Sequence, residues 1–117
     1  MKYRTLGKTG LRVSEIGLGG EWLERHNTEE VKEIIDVCQK EGINILDCWM
    51  SEPNVRSNIG NAIKDCRDKW IIQGHIGSTW QNGQYERTRD LDKVDEAFRD
   101  LLSLIHISEP TRPEPIS

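Results

Sequence analysis

The apolar positions of the chain switch three times between a strand period and a helix period. The opening "YRTLGKTGLRVS" alternates about Gly7, Lys8, Thr9 and Gly10, which predicts a short hairpin. "SEIGLGG" then predicts a buried strand ending in glycines. In "NTEEVKEIIDVCQKEG", Asn27 and Glu30 have capping-box spacing, while Val31, Ile34, Ile35 and Cys38 mark one apolar face. Gly42 stops that helix. "INILD" is almost wholly apolar until Asp47, the pattern of a parallel strand covered on both faces. "VRSNIGNAIKDC" returns to helical spacing through Val55, Ile59, Ala62 and Ile63, and "KWIIQGH" predicts a third strand. "RDLDKVDEAFRDLL" predicts a third helix, with Leu91, Val94, Ala97, Phe98 and Leu101 facing inward.

Strands alternating with helices predict an α/β fold with a parallel sheet and right-handed crossovers. Two architectures meet that description, an open doubly wound sheet and a (β/α)8 barrel. The phosphate fingerprint of the first, GxGxxG, fails here: after Gly17 and Gly19 the sixth position is Trp22. A complete barrel needs roughly 200 residues or more, so three strand-helix units are less than half of one.

Composition narrows the function classes. The 16 basic and 20 acidic residues leave a net charge of −4, which argues against nucleic acid as the main partner. No apolar run approaches the ~20 residues of a membrane span, and "MKYRTLGKTG" has no signal-peptide core, so no membrane partner and a cytoplasmic location are expected. Cys38, Cys48 and Cys66 are odd in number and lack CxxC spacing, as expected of free thiols in a reducing compartment. A hydrophobic fraction of 35% is low for a self-sufficient core.

After Leu101 the periodicity breaks. "LSLIHISEPTRPEPIS" carries three prolines in its last eight residues. It reads either as a disordered C-terminus or, more sharply, as read-through: "LSLIHISEPTR" resembles the translation of a transposon-end sequencing adapter. The expected organisation is therefore a truncated barrel over residues 1–101 and a non-native or disordered tail over 102–117.

The stretches "YRTLGKTGLRVSEIGLGGEW", "GINILDCW…NIGNAIK" and "RDKWIIQGHIG" resemble, in order and spacing, the start of aldo-keto reductases. The resemblance covers residues 1 to about 101. It implies the N-terminal portion of a (β/α)8 barrel, with the hairpin capping one end and three βα units following. It also implies NADPH-dependent reduction of a small-molecule carbonyl substrate at the C-terminal ends of the strands. The family binds the cofactor phosphates through its last strand-helix units, so this chain alone is expected neither to bind NADP(H) nor to turn over.

In that family an Asp ends the second strand, a Tyr five residues later protonates the carbonyl, and a Lys ending the third strand lowers the Tyr pKa. A phenol near pKa ~10 is a poor acid at neutral pH without such tuning. Asp47 matches the Asp, whereas the Tyr position falls on Glu52 and the Lys position on His75. Asp47 and His75 are then expected on adjacent strand ends, where a carboxylate can orient an imidazole. Glu52 offers a second titrating group. Set against this altered acid/base set is a site that has lost its chemistry and keeps only a nucleotide, or nothing. Metal binding by His26, Asp47, Glu52 and His75 lacks any HxxxH or cysteine-pair support, so no metal is expected. Gly17, Gly19, Gly20, Glu21 and Trp22 match the family's first strand-to-helix loop. Gly19, Gly20, Glu21 and Trp22 are, with Asp47, the candidate contacts to the nicotinamide side of the cofactor. Cys48 and Trp49 replace the small residues that usually follow the Asp and are expected to line the pocket. Trp80 in "GSTWQNGQYE" is a candidate substrate wall on the third loop.

Overall fold

The computed structural model describes residues 1–105, the side chains of Trp22, Glu24 and Ile105 excepted. The hairpin forms as read: β1 (Tyr3–Thr5) pairs antiparallel with β2 (Arg12–Ser14). It is tied to the start of the main sheet by Asn44, whose side chain accepts from the Ser14 N–H at 2.8 Å and donates to the Arg12 carbonyl at 2.9 Å. Tyr3 adds a hydroxyl bond to the Gly42 carbonyl at 2.6 Å. The hairpin thus closes the N-terminal end of the sheet.

The sheet itself holds β3 (Leu18–Gly19), β4 (Ile45–Cys48) and β5 (Ile71–Gly74), all parallel and in that order. Its register sets Leu18 beside Leu46 and Ile72, and Gly19 beside Asp47 and Gln73. Side chains alternate across a strand, so these two rows face opposite ways. The Leu46–Cys48 face packs on α1 (Thr28–Lys40) and α2 (Pro53–Ile63), where Val31, Ile35, Val55, Ile59 and Ile63 complete one core cluster. The Gly19–Asp47–Gln73 face is open.

That openness corrects two expectations. "INILD" is covered on one face only, Ile45 and Asp47 being partly exposed while Leu46 and Cys48 are buried. "SEIGLGG" is no buried strand either: only Leu18–Gly19 is paired, and Ile16 is exposed. In both cases the apolar residues face a side on which the described chain places no second layer.

Helix signals are honoured closely. Asn27 accepts from the Glu30 N–H at 2.9 Å while the Glu30 carboxylate accepts from the Asn27 N–H at 3.0 Å. The Asn27 contact holds the Glu30 carboxyl below its ordinary pKa. Thr28 and Asn58 bond at 2.8 Å and lock the start of α1 onto α2.

The third helix, α3 (Leu91–Ile105), continues past Leu101; from residue 106 onward the tail lies outside the described residues. Its expected inner face is only partly inward. Leu101 is buried, but Leu91 is 81% exposed and Phe98 is also exposed. With Ile72, Ile76 and Leu102 they line an apolar groove beside β5, the edge at which a further unit would pack. Between β5 and α3 the chain forms an element absent from the sequence expectation, a hairpin of β6 (Ser78–Gln81) and β7 (Gln84–Arg87). Its turn places Asn82 and Gly83 at φ +53° and +77°, the two positive values of a type I′ turn.

Arg56 was not singled out by periodicity, yet it is 1% exposed. Its Nε donates to the Met50 carbonyl and its Nη1 to the Ala97 carbonyl, both at 3.1 Å, with Asp100 at 3.5 Å. This guanidinium bolts α3 to the loop after β4. Arg56→Ala leaves those carbonyls without a donor and opens a void, so it should cost roughly 2–4 kcal/mol in urea denaturation. Asp100→Asn, removing only the partly exposed partner, should cost less than about 1 kcal/mol.

The open face and the unpaired edge of β5 should also make the purified chain self-associate. Sedimentation velocity should show growth of larger species with concentration. A monomer at every concentration, with a cooperative melt at high temperature, would contradict this.

Candidate active site

Asp47 and His75 meet. His75 Nε2 lies 2.6 Å from Asp47 Oδ1, and since a carboxylate only accepts, the imidazole is the donor. Parallel pairing sets this contact: Asp47 is opposite Gln73 and Cys48 opposite Gly74, so His75 leaves β5 one step beyond the end of the ladder. Side-chain exposures of 38% and 36% leave the pair accessible from the open face. His75 Nδ1 has no partner among the described residues.

Glu52 is used differently. It is the N-cap of α2, and its carboxylate accepts from the Val55 N–H at 2.9 Å, with Pro53 opening the helix behind it. Among the described residues it bonds to neither Asp47 nor His75. His26 is likewise apart, its Nδ1 lying 3.6 Å from Glu30 at the start of α1.

The glycine loop lies against the same strand end. The Gly20 N–H donates to the Asp47 carbonyl at 2.8 Å, and a Cβ at Gly20 would stand 2.4 Å from that oxygen. Only glycine permits this approach. Gly19 differs, for a Cβ there would meet nothing within 4 Å. Glu21 is exposed at the start of a 3-10 turn, Glu21–Arg25. Trp22 lies in that turn, and its side chain is outside the described groups. A shallow groove joins Gly17, Gly19, Ile45, Asp47 and Gln73.

On the other side of His75 opens a larger cleft, walled by Trp49, Ser78, Tyr85, Arg87 and Arg89. Trp49 lines it as expected, and its ring packs on Tyr85 with centroids 5.0 Å apart. Cys48 does not: it is buried in the helix-facing core, and burial pushes its thiol up to about 11. Trp80 also sits elsewhere, in β6, beside the depression next to Arg56 rather than the cleft at His75. Tyr85, Arg87 and Arg89 are the lining residues that sequence reasoning missed. The signal was present, since Asn-Gly between alternating residues in "STWQNGQYER" marks a two-residue hairpin and hence which side chains share a face.

The fold and this geometry can be set against known proteins. No family model matches the chain. Probable voltage-gated potassium channel beta subunits of Oryza sativa subsp. japonica and Arabidopsis thaliana are 34% and 36% identical to it over 70 residues. That match takes in 56% of this chain and 21% of each relative, so the chain spans about a fifth of their length. Among solved structures, an aldo-keto reductase from Bacillus halodurans in its holo form superposes with a TM-score of 0.75 at 26% identity, over 90% of this chain and 36% of that one. A putative aldo-keto reductase from Pseudomonas aeruginosa gives 0.75 at 23% identity, over 88% and 41%. A glycerol dehydrogenase from Gluconobacter oxydans gives 0.67 at 20%, over 88% and 35%. The chain therefore has the fold of part of an aldo-keto reductase barrel, as its motifs implied. Among the described residues no helix is long and apolar enough to cross a membrane.

A capping role and a catalytic role for Glu52 differ in what they cost. Glu52→Ala should lower stability by up to about 1 kcal/mol, and Glu52→Asp or Glu52→Ser should restore most of it. Chemical denaturation of the three variants checks this; unchanged stability in Glu52→Ala would remove the capping assignment.

Proposed function

We propose that this chain is the N-terminal piece of a cytoplasmic, NADPH-dependent oxidoreductase of the aldo-keto reductase type that reduces a small-molecule carbonyl. The observation carrying the reading is the 2.6 Å Asp47–His75 contact at the ends of two adjacent parallel strands, the side where barrels of this type place their chemistry. The groove along Gly17, Gly19, Asp47 and Gln73 fits the nicotinamide side of the cofactor, because Gly19 leaves open space where any other residue would set a Cβ. NADPH, when bound, supplies hydride to the carbonyl carbon.

What this chain supplies is the proton. Asp47 fixes the imidazole through Nε2. Nδ1 then holds a proton toward the carbonyl oxygen, which takes it as the alcohol forms, and His75 leaves the step neutral. This gives His75 the part that the family divides between a phenol and an ammonium, and it leaves Glu52 to its helix. The 117-residue chain by itself is inactive in this reading, because the sheet edge is open and the phosphate-binding units lie outside it. A second reading is a barrel that keeps a nucleotide without turnover; the curated relatives are named as channel subunits and not as reductases.

The test uses the full-length protein that carries residues 1–101 in natural context. His75→Ala should lower kcat by about 100-fold or more, the order expected for loss of a general acid. Asp47→Asn should lower it less. NADPH oxidation with a panel of aldehydes and ketones is the readout, and unchanged turnover in both variants would make the pair structural. The 117-residue chain should show no saturable change in nicotinamide fluorescence at micromolar concentration.

A further inference from the structure

The cleft beside His75 has a charge that the rest of the chain does not share. Net charge is −4, yet among the described residues the lining contains Arg87, Arg89 and His75 and no Asp or Glu. Elsewhere three arginines pair with acids, Arg4 with Glu15, Arg56 with Asp100 and Arg99 with Asp95, whereas the exposed Arg12 of the opening hairpin pairs with none among the described residues. Arg87 and Arg89 are exposed and have neither an ion pair nor a side-chain hydrogen bond among the described residues.

Their support is firm. The turn at Asn82–Gly83 sets Ser78 opposite Arg87 and Trp80 opposite Tyr85. Tyr85 and Arg87 are two apart in β7 and so share a face. The ribbon is fastened to the loop after β4 at both Ser78, whose hydroxyl donates to the Trp49 carbonyl at 3.0 Å, and Ser51, whose hydroxyl donates to the Thr79 carbonyl at 2.5 Å. The Trp49 ring against Tyr85 completes the attachment. One unmatched guanidinium, Arg87, is thus held on a clamped ribbon, and Arg89 follows two residues past its end, where the Thr88 N–H donates to the Gly77 carbonyl at 3.0 Å; both line one cleft with the proton donor proposed above.

We propose that Arg87 and Arg89 bind an organic carboxylate, so that the preferred substrate is a 2-oxo acid whose carbonyl is presented to His75. A guanidinium fork matches a carboxylate with paired hydrogen bonds, and a cleft lined by one sign of charge concentrates the opposite ion. Trp49 and Tyr85 supply an apolar wall for a short carbon chain. The naming of a substrate rests on the reductase reading, whereas the anion site itself does not.

The test is therefore a binding measurement on the 117-residue chain without cofactor. Amide and arginine Nε–H resonances are followed in 15N-labelled protein during titration with 2-oxobutyrate, 2-butanone and inorganic phosphate. Saturable shifts at Tyr85, Arg87 and Arg89 are expected with 2-oxobutyrate, none with 2-butanone, and weaker ones with phosphate. The double variant Arg87→Gln/Arg89→Gln should weaken 2-oxobutyrate about tenfold or more, as for loss of charged hydrogen bonds. Arg87→Lys/Arg89→Lys, which keeps charge without the fork, should fall between. Retained amide dispersion in both variants shows that folding is intact. No saturable shift with 2-oxobutyrate, equal binding of 2-butanone, or phosphate binding as tight as 2-oxobutyrate would each overturn the carboxylate site. Binding that persists while the full-length protein oxidises NADPH with none of the carbonyls would sustain this site and sink the reductase reading instead.

Discussion

The four residues after β4 hold the molecule together at its functional end. The Trp49 carbonyl receives the Ser78 hydroxyl and its ring receives Tyr85. The Met50 carbonyl receives Arg56, which also reaches α3. The Ser51 hydroxyl bonds to Thr79, and Glu52 caps α2. A loop of this length ordinarily contributes little cohesion, because its backbone groups are left to water. Here its polar groups are divided among a helix start, a second helix and a hairpin. Met50 and Ser51 are buried as a result.

That division explains why chemistry and stability separate inside one short motif. "DCWMSEP" reads at first as a row of reactive groups, but alternation along β4 sends Asp47 to the open face and Cys48 into the core. Glu52 then meets the orphan amides of a helix whose first residue is Pro53, the residue best suited to that position. An acid immediately before a proline and a helical run is a capping signal, and Glu52 fills that role here. His75 has no such competing use. It stands past the end of β5, where neither strand nor helix claims its side chain.

Much of the fold was legible because its signals are local. A capping box, a stop glycine and an apolar face at helical spacing each need only a few neighbouring residues to be read, and α1 and α2 follow them. Parallel pairing was legible from alternation of elements. Two kinds of feature were not. Burial depends on what lies opposite, so Ile16, Leu91 and Phe98 look like core residues and yet are exposed. Arg56 is the converse, a charged residue on the inner side of α2 whose partners, Met50 and Ala97, are set only by tertiary packing. The 78–87 hairpin was missed for a different reason: its Asn-Gly turn lies in a stretch poor in apolar residues, where strand periodicity is weak.

The candidate site can keep its geometry in a sheet covered on only one side, and the reason lies in the register. Asp47 and His75 belong to adjacent strands whose four paired positions, Ile45–Ile71 through Cys48–Gly74, are all within the described chain. The helix-facing half of that ladder is fixed by Leu46 and the core beneath it. A one-residue slip would turn Leu46 outward and Asp47 inward, burying a carboxylate and exposing the core at once. The packing of α1 and α2 against one face thus determines which side chains stand on the other. The contact between Asp47 and His75 is therefore a consequence of core packing on the opposite face, and it does not depend on strands beyond β5. What further strands would change is the surroundings of the pair: its exposure to water, the depth of the groove at Gly19, and the strength of every charge interaction in the cleft.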